Sequence, residues 1–209
     1  MDVATFDAWR ENYLHMTYRE QQEFYDRVEV EHPHQAAFAA AHFGRFFEHI
    51  QEVLEVAYVL EVGGWKGELA CKMLAAASLP GISVWCNVEI CQRAVDRGVC
   101  DSSRYTTFVP RSFPWNVELP PANIFAASHF IEHITRNDLD MLIQNLPDTV
   151  RYIGLEAPIP DGGNDIDWTG YHGSHILEIG WRSAERLLMN NGFLPISQLS
   201  IDDFRAFYR

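Results

Sequence analysis

The chain is poor in positive charge. Its 16 lysines and arginines face 29 aspartates and glutamates, which leaves a net charge of −13. A surface that acidic repels phosphate backbones, so no nucleic-acid partner is expected. Arg104 and Arg111 are too isolated to make a basic footprint. No apolar run approaches the ~20 residues that cross a bilayer, so no membrane partner is expected either. The opening Met1-Asp2-Val3-Ala4-Thr5 lacks the basic and then apolar layout of a secretion signal. A soluble, cytoplasmic protein is the expectation. Cysteine is scarce: Cys71, Cys86, Cys91 and Cys100 contain no C-x-x-C pair. That argues against a zinc knuckle and for reduced, packing thiols. There is no internal repeat and no low-complexity stretch.

What remains is an ordinary globular composition, 209 residues with 47% hydrophobic side chains, enough for one domain with a sizeable core. The first part, 1–56, reads as a helical cap on a core spanning 57–209. Aromatic residues open a helix over 6–11. Phe24, Tyr25 and Val28 sit at helical spacing within 18–30, and Pro33 interrupts. A run over 35–56 then sets Phe38, His42, Phe46 and Ile50 on one face. These helices either pack on the core or close over a ligand, with Trp9, Tyr13, Tyr18 and Tyr25 available to line it.

From Tyr58 onward apolar strands alternate with helices, the pattern of a parallel, doubly wound α/β sheet. Strands are expected at 58–62, 82–88, 105–109, 123–128, 150–156, 194–199 and 203–208. The last two are joined only by Asp202-Asp203, too tightly for a parallel pair, so the final strand must run antiparallel. The expected fold is therefore a seven-stranded, mostly parallel sheet with a reversed last strand, helices on both faces and an N-terminal helical extension.

The most informative stretch is Val59-Leu60-Glu61-Val62-Gly63-Gly64-Trp65-Lys66-Gly67. An apolar strand ends in an acid and a glycine-rich turn, and a helix-forming run follows from Glu68. This is how an α/β fold presents backbone N–H groups to a nucleotide-like ligand. Glu89, with Ile90 beside it, ends the next apolar run, where a carboxylate can accept from both ribose hydroxyls.

These residues resemble the first motif of the class I S-adenosylmethionine-dependent methyltransferases, apolar-apolar-acid-apolar-Gly-x-Gly-x-Gly. Leu60, Glu61, Val62, Gly63 and Gly67 fit it, while Trp65 stands at the middle glycine. Residues 125–134, Phe-Ala-Ala-Ser-His-Phe-Ile-Glu-His-Ile, are similar to the family's fourth strand and the turn after it. Residues 187–193, Leu-Leu-Met-Asn-Asn-Gly-Phe, are similar to its late helix ending in Gly-Phe. The resemblance runs from Tyr58 to the C-terminus. It implies S-adenosyl-L-methionine as cofactor, held by Glu61, Gly63, Gly64, Trp65, Gly67, Glu89 and Ile90, with Ser128 at the end of the fourth strand. Where the family often carries an acid toward adenine, this chain has Arg111 and Ser112.

Candidate proton acceptors are His129, His172 and His175. His129 follows the fourth strand, between cofactor and acceptor. The other two lie in a long connection, 158–175, rich in Asp161, Asn164, Asp165, Asp167, Trp168 and Tyr171. Connections of that length are commonly lids or binding loops. Glu132 and His133 are expected to brace the turn. His129-x-x-Glu132-His133 also matches the H-x-x-E-H pattern of zinc peptidases. That chemistry needs both histidines on one helix face, and His129 falls at a strand end instead, so no metal is expected.

The acceptor-side turn is not Asn/Asp-Pro-Pro-aromatic, as amino-group methylation of DNA bases would require, and no Pro-Cys nucleophile occurs. A small-molecule O or N acceptor is the reading, with a protein side chain second. A non-catalytic binding domain and a dinucleotide-dependent oxidoreductase are the alternatives. The latter lacks a complete G-x-G-x-x-G.

Overall fold

A computed structural model describes residues 8, 11–27, 33–76, 78–79, 81–110, 119–159, 179–201 and 203–209, with backbone only for 33–38. Seven strands form, the central ones short, nearly continuous buried runs: β1 (Ala57–Val62), β2 (Ile82–Val88), β3 (Tyr105–Phe108), β4 (Ile124–Ser128), β5 (Tyr152–Glu156), β6 (Leu194–Pro195) and β7 (Phe204–Tyr208). They form one sheet in the order β3-β2-β1-β4-β5-β7-β6. β3, β2, β1, β4 and β5 are parallel, and β7 runs antiparallel to both β5 and β6. The reversed last strand is as the short connection requires.

Helices cover both faces. α1 (Tyr18–Arg27), α2 (Pro33–Gln51), α3 (Glu68–Ala75), α4 (Gln92–Asp96), α5 (Arg136–Gln144) and α6 (Trp181–Asn190) complete the regular elements. Period-2 alternation splits the sheet into two cores. Leu60, Val62, Phe125, Ala127, Ile153, Leu155 and Phe207 pack with Leu139, Leu142 and Ile143 of α5 and Ala184 and Leu188 of α6. Val59, Trp85, Ile124, Ala126, Phe204 and Ala206 pack on the other side with Phe43, Phe46, Phe47 and Ile50 of α2 and Leu69, Ala70 and Met73 of α3. α2 is thus an integral layer of the sheet, because its aromatic stripe is the partner that face requires.

Three boundaries differ from the sequence reading. Pro33 opens α2 instead of merely interrupting, because a first-turn residue needs no N–H partner. That helix stops at Gln51 rather than 56, where Leu54 N–H turns back to the Ile50 carbonyl at 2.8 Å. The expected strand 194–199 shrinks to Leu194–Pro195 followed by a 3-10 turn, Ser197–Leu199, since proline donates nothing to a ladder and this is the sheet edge.

Among the described residues no helix is long and apolar enough to cross a membrane.

Candidate functional site

The carboxyl ends of the parallel strands gather most of the chemistry predicted from sequence. β1 delivers Glu61 and the glycine turn. Gly63 and Gly67 adopt the left-handed region at φ 68 and 81, and Trp65 joins them at φ 49. The position that glycine usually fills keeps a glycine-like backbone despite the tryptophan, a conformation that costs roughly 1–2 kcal/mol for an L side chain. Space as well as φ demands glycine here. A Cβ on Gly63 would lie 2.7 Å from the Phe130 ring. One on Gly67 would meet the Tyr105 hydroxyl at 2.5 Å.

Glu61 lies beneath the turn, 1% exposed. Its Oε2 accepts from Trp85 Nε1 at 2.7 Å. Burial pushes its carboxyl up to about 8, against the lowering effect of the Trp85 bond. Glu61 therefore braces the loop from below.

Asn87 does the same from β2. Its Oδ1 accepts from Gly64 N–H at 3.0 Å, and its Nδ2 donates to the Tyr105 hydroxyl at 3.1 Å. Asn87 was missed in the sequence, although a fully buried amide inside an apolar strand is a readable signal.

Glu89 sits where the sequence puts it, at the carboxyl end of β2 and 3% exposed. Oε2 accepts from Trp65 N–H and Oε1 from Cys91 N–H, each at 2.8 Å. Burial raises its carboxyl to about 7, although the backbone donors of Cys91, Trp65 and Ile90 pull the other way. The glycine turn and the acid are thus one hydrogen-bonded unit.

α1 is strapped across this unit. Tyr18 donates to the Pro110 carbonyl at 2.6 Å and Gln22 to the Ile90 carbonyl at 3.1 Å. Asp26 accepts from Arg93 N–H at 3.1 Å and from the Cys91 thiol at 3.3 Å. Among the tyrosines named above, Tyr13 and Tyr25 join hydroxyl to hydroxyl at 3.0 Å. Gln22 and Asp26 had no signal, since exposed-looking polar residues on a helix reveal nothing about what they cover.

The ends of β4 and β5 carry a second cluster. Ser128 Oγ donates to Glu156 Oε2 at 2.7 Å, and His42 Nδ1 lies 2.7 Å from Glu156 Oε1. His129 leaves β4 at φ 51, with its N–H on the Glu156 carbonyl at 2.8 Å. A histidine held left-handed at a strand end is the kind of strain that collects at functional sites. Its Nδ1 is 3.3 Å from Glu132 Oε1, while His133 Nε2 is 3.9 Å from the same oxygen. Burial is the largest influence on the His129 ring and lowers its pKa. The Glu132 carboxylate, with Glu156 and Asp203, outweighs it and leaves the pKa raised.

Glu132 and His133 belong to a 3-10 turn, Ile131–His133, and His129 precedes it. The H-x-x-E-H spacing therefore places no two histidines on one α-helix. Among the described residues no three His, Cys, Asp or Glu side chains could hold a metal ion together. His172, His175, Arg111, Ser112 and Trp9 lie outside the described residues.

No protein-family model and no curated protein matches the sequence. Solved structures do match its fold. The methyltransferase domain of a bacterial protein, CtHen1, is 14% identical with a TM-score of 0.58, over 79% of this chain and 96% of that one. Magnesium protoporphyrin IX methyltransferase from Synechocystis PCC 6803, solved with bound S-adenosylhomocysteine, is 10% identical with a TM-score of 0.57, over 92% and 94%. Human N-acetylserotonin methyltransferase, solved in complex with S-adenosylmethionine, is 15% identical with a TM-score of 0.56. There the match covers 79% of this chain and 51% of the human one. Identities this low speak for shared fold alone.

Proposed function

We propose that this chain, which has the class I, Rossmann-like methyltransferase fold, transfers a methyl group from S-adenosyl-L-methionine to a hydroxyl or amine of a small-molecule acceptor. The observation that carries the reading is the Glu89 carboxylate, fixed at the end of β2 against the backbone of the glycine turn. The residues fit the cofactor. Gly63, Gly64 and Gly67 let the turn pack directly on Phe130, Glu61 with Asn87, and Tyr105, a close approach that any Cβ would prevent and that leaves a bare backbone turn beside Glu89. Glu89 offers acceptor oxygens to ribose hydroxyls, and Ile90 lies beside it.

The bound cofactor supplies an electrophilic methyl on a sulfonium sulfur. The protein must hold the acceptor in line with that carbon and take up its proton. His129 is suited to the second task. Glu132 at Nδ1 leaves Nε2 for the acceptor and stabilises the imidazolium that forms on proton uptake. The same carboxylate raises the ring's pKa, so the free base is reached at a higher pH than for an ordinary histidine. Buried carboxylates at Glu132 and Glu156 disfavour an anionic acceptor.

Titration calorimetry with S-adenosylhomocysteine, with NAD as control, tests the cofactor. Binding of the former alone is expected. Binding of NAD alone supports an oxidoreductase, and binding of neither a non-catalytic domain. Glu89→Ala is expected to weaken S-adenosylhomocysteine binding by about 1–3 kcal/mol through lost charge-assisted hydrogen bonds. Unchanged affinity in that variant would remove Glu89 from the site.

A further inference from the structure

The glycine turn spends its backbone donors inside the protein. Gly63 N–H goes to the Val88 carbonyl at 2.9 Å and Gly64 N–H to Asn87 Oδ1 at 3.0 Å. Trp65 N–H goes to Glu89 Oε2 and Gly67 N–H to the Gly64 carbonyl, each at 2.8 Å. Amides at such a turn are ordinarily aimed at a ligand. Here they tie the turn to β2 and close it on itself, so an acceptor group reaching it needs a donor from elsewhere.

One side-chain donor at the turn is left over. Trp65 Nε1–H is buried and has no hydrogen-bond partner among the described residues. An indole N–H only donates, and burying it unpaired is unfavourable. The side chain as a whole is half-buried and joins neither core of the sheet. Trp181 is the contrast. Its Nε1 is likewise unpaired, but its ring is 1% exposed, lies in a core and carries the Arg205 guanidinium 4.9 Å from its centroid. Packing accounts for Trp181 and does not account for Trp65.

The backbone of Trp65 points the same way. It holds φ 49, with its N–H on Glu89 and its carbonyl accepting from Asn87 Nδ2 at 3.4 Å. A left-handed backbone and an unpaired buried donor are two separate costs at one residue. Glycine at this position would carry neither.

We propose that the Trp65 indole N–H binds the carboxylate at the amino-acid end of the cofactor, in place of the amides that the turn has spent on itself. This rests on the methyltransferase reading and deepens it. The ribose hydroxyls can donate to Glu89, whereas the carboxylate only accepts. It is also the cofactor's strongest acceptor and the costliest of its groups to bury without a donor. Glu61, below the turn, holds its proton up to about 8, so it adds no charge against that carboxylate at neutral pH.

The probes are S-adenosylhomocysteine and 5′-methylthioadenosine, which keeps the nucleoside and lacks the amino-acid end. Each is titrated by calorimetry into the full chain and into Trp65→Phe, which keeps a ring and loses the donor. Trp65→Phe is expected to lower S-adenosylhomocysteine affinity about tenfold and to leave 5′-methylthioadenosine affinity unchanged. Its urea midpoint is expected to hold or rise, because an unpaired buried donor has gone. A lower midpoint with both affinities intact would make the indole a packing group and overturn the proposal. An equal loss of affinity for both ligands overturns it as well. If the variant does not fold, the wild-type indole decides. Its Nε1–H resonance is expected to move downfield with S-adenosylhomocysteine and not with 5′-methylthioadenosine, and a resonance that treats the two alike overturns the proposal. A wild-type chain that binds no S-adenosylhomocysteine defeats the methyltransferase reading itself, a result distinct from bound ligand that ignores Trp65.

Discussion

Gly64→Ala is expected to weaken cofactor binding severely and to destabilise the fold, although it adds one methyl group. A Cβ at Gly64 would lie 2.5 Å from Glu61 Cδ, 2.6 Å from Glu61 Oε2 and 2.7 Å from Asn87 Oδ1. Neither neighbour is a free side-chain end. Glu61 is pinned by Trp85, and Asn87 by Gly64 N–H and Tyr105. The turn must lift, which breaks the bond from Gly64 N–H to Asn87 and draws Trp65 N–H from Glu89. Overpacking of this kind costs about 1–3 kcal/mol of stability. The consequence for S-adenosylhomocysteine should be larger, a fall in affinity of about 100-fold, because the turn and Glu89 move as one unit. Calorimetry beside a urea melt measures both. Wild-type affinity in a destabilised Gly64→Ala would show that the turn is only a structural brace.

That coupling explains why the site was only half legible. Glu61, Gly63, Gly67 and Glu89 could be picked out as candidates because a glycine turn between an acid-terminated strand and a helix is a local pattern. His129 could be read because it follows a strand whose apolar run ends abruptly. Asn87, Tyr105, His42 and Glu156 act across the sheet, between elements distant in sequence, and no spacing announces such contacts. His42 was assigned to the apolar stripe of α2 for the same reason: periodicity sees the face and not the carboxylate opposite it. The fold was more legible than the site. Apolar runs alternating with helices marked the strands, and a connection too short for a crossover marked the reversal of β7. The error at 194–199 arose where an edge strand containing Pro195 carries too few ladder bonds to extend.

The buried acid under the turn also sets how stability responds to pH. Glu61 holds its proton up to about 8 in the folded chain, whereas an exposed glutamate releases it near 4.3. Between those values the native state binds a proton that the unfolded state does not, so stability falls as pH rises. The stabilisation is fully present below the unfolded value and is lost by the time pH passes the folded one. Glu89 adds a narrower window of the same sign, ending near 7.

Glu61→Gln isolates the first effect. Its amide keeps an oxygen for Trp85 Nε1 and, like the protonated acid, carries a donor and no charge. At pH 5 the variant should match wild type closely. At pH 9 it should be more stable by on the order of 3 kcal/mol, since wild type must then bury a carboxylate. Urea melts at both values measure the difference directly. A difference that does not grow with pH would mean that Glu61 is already ionised at pH 5, with its charge compensated by the turn above it.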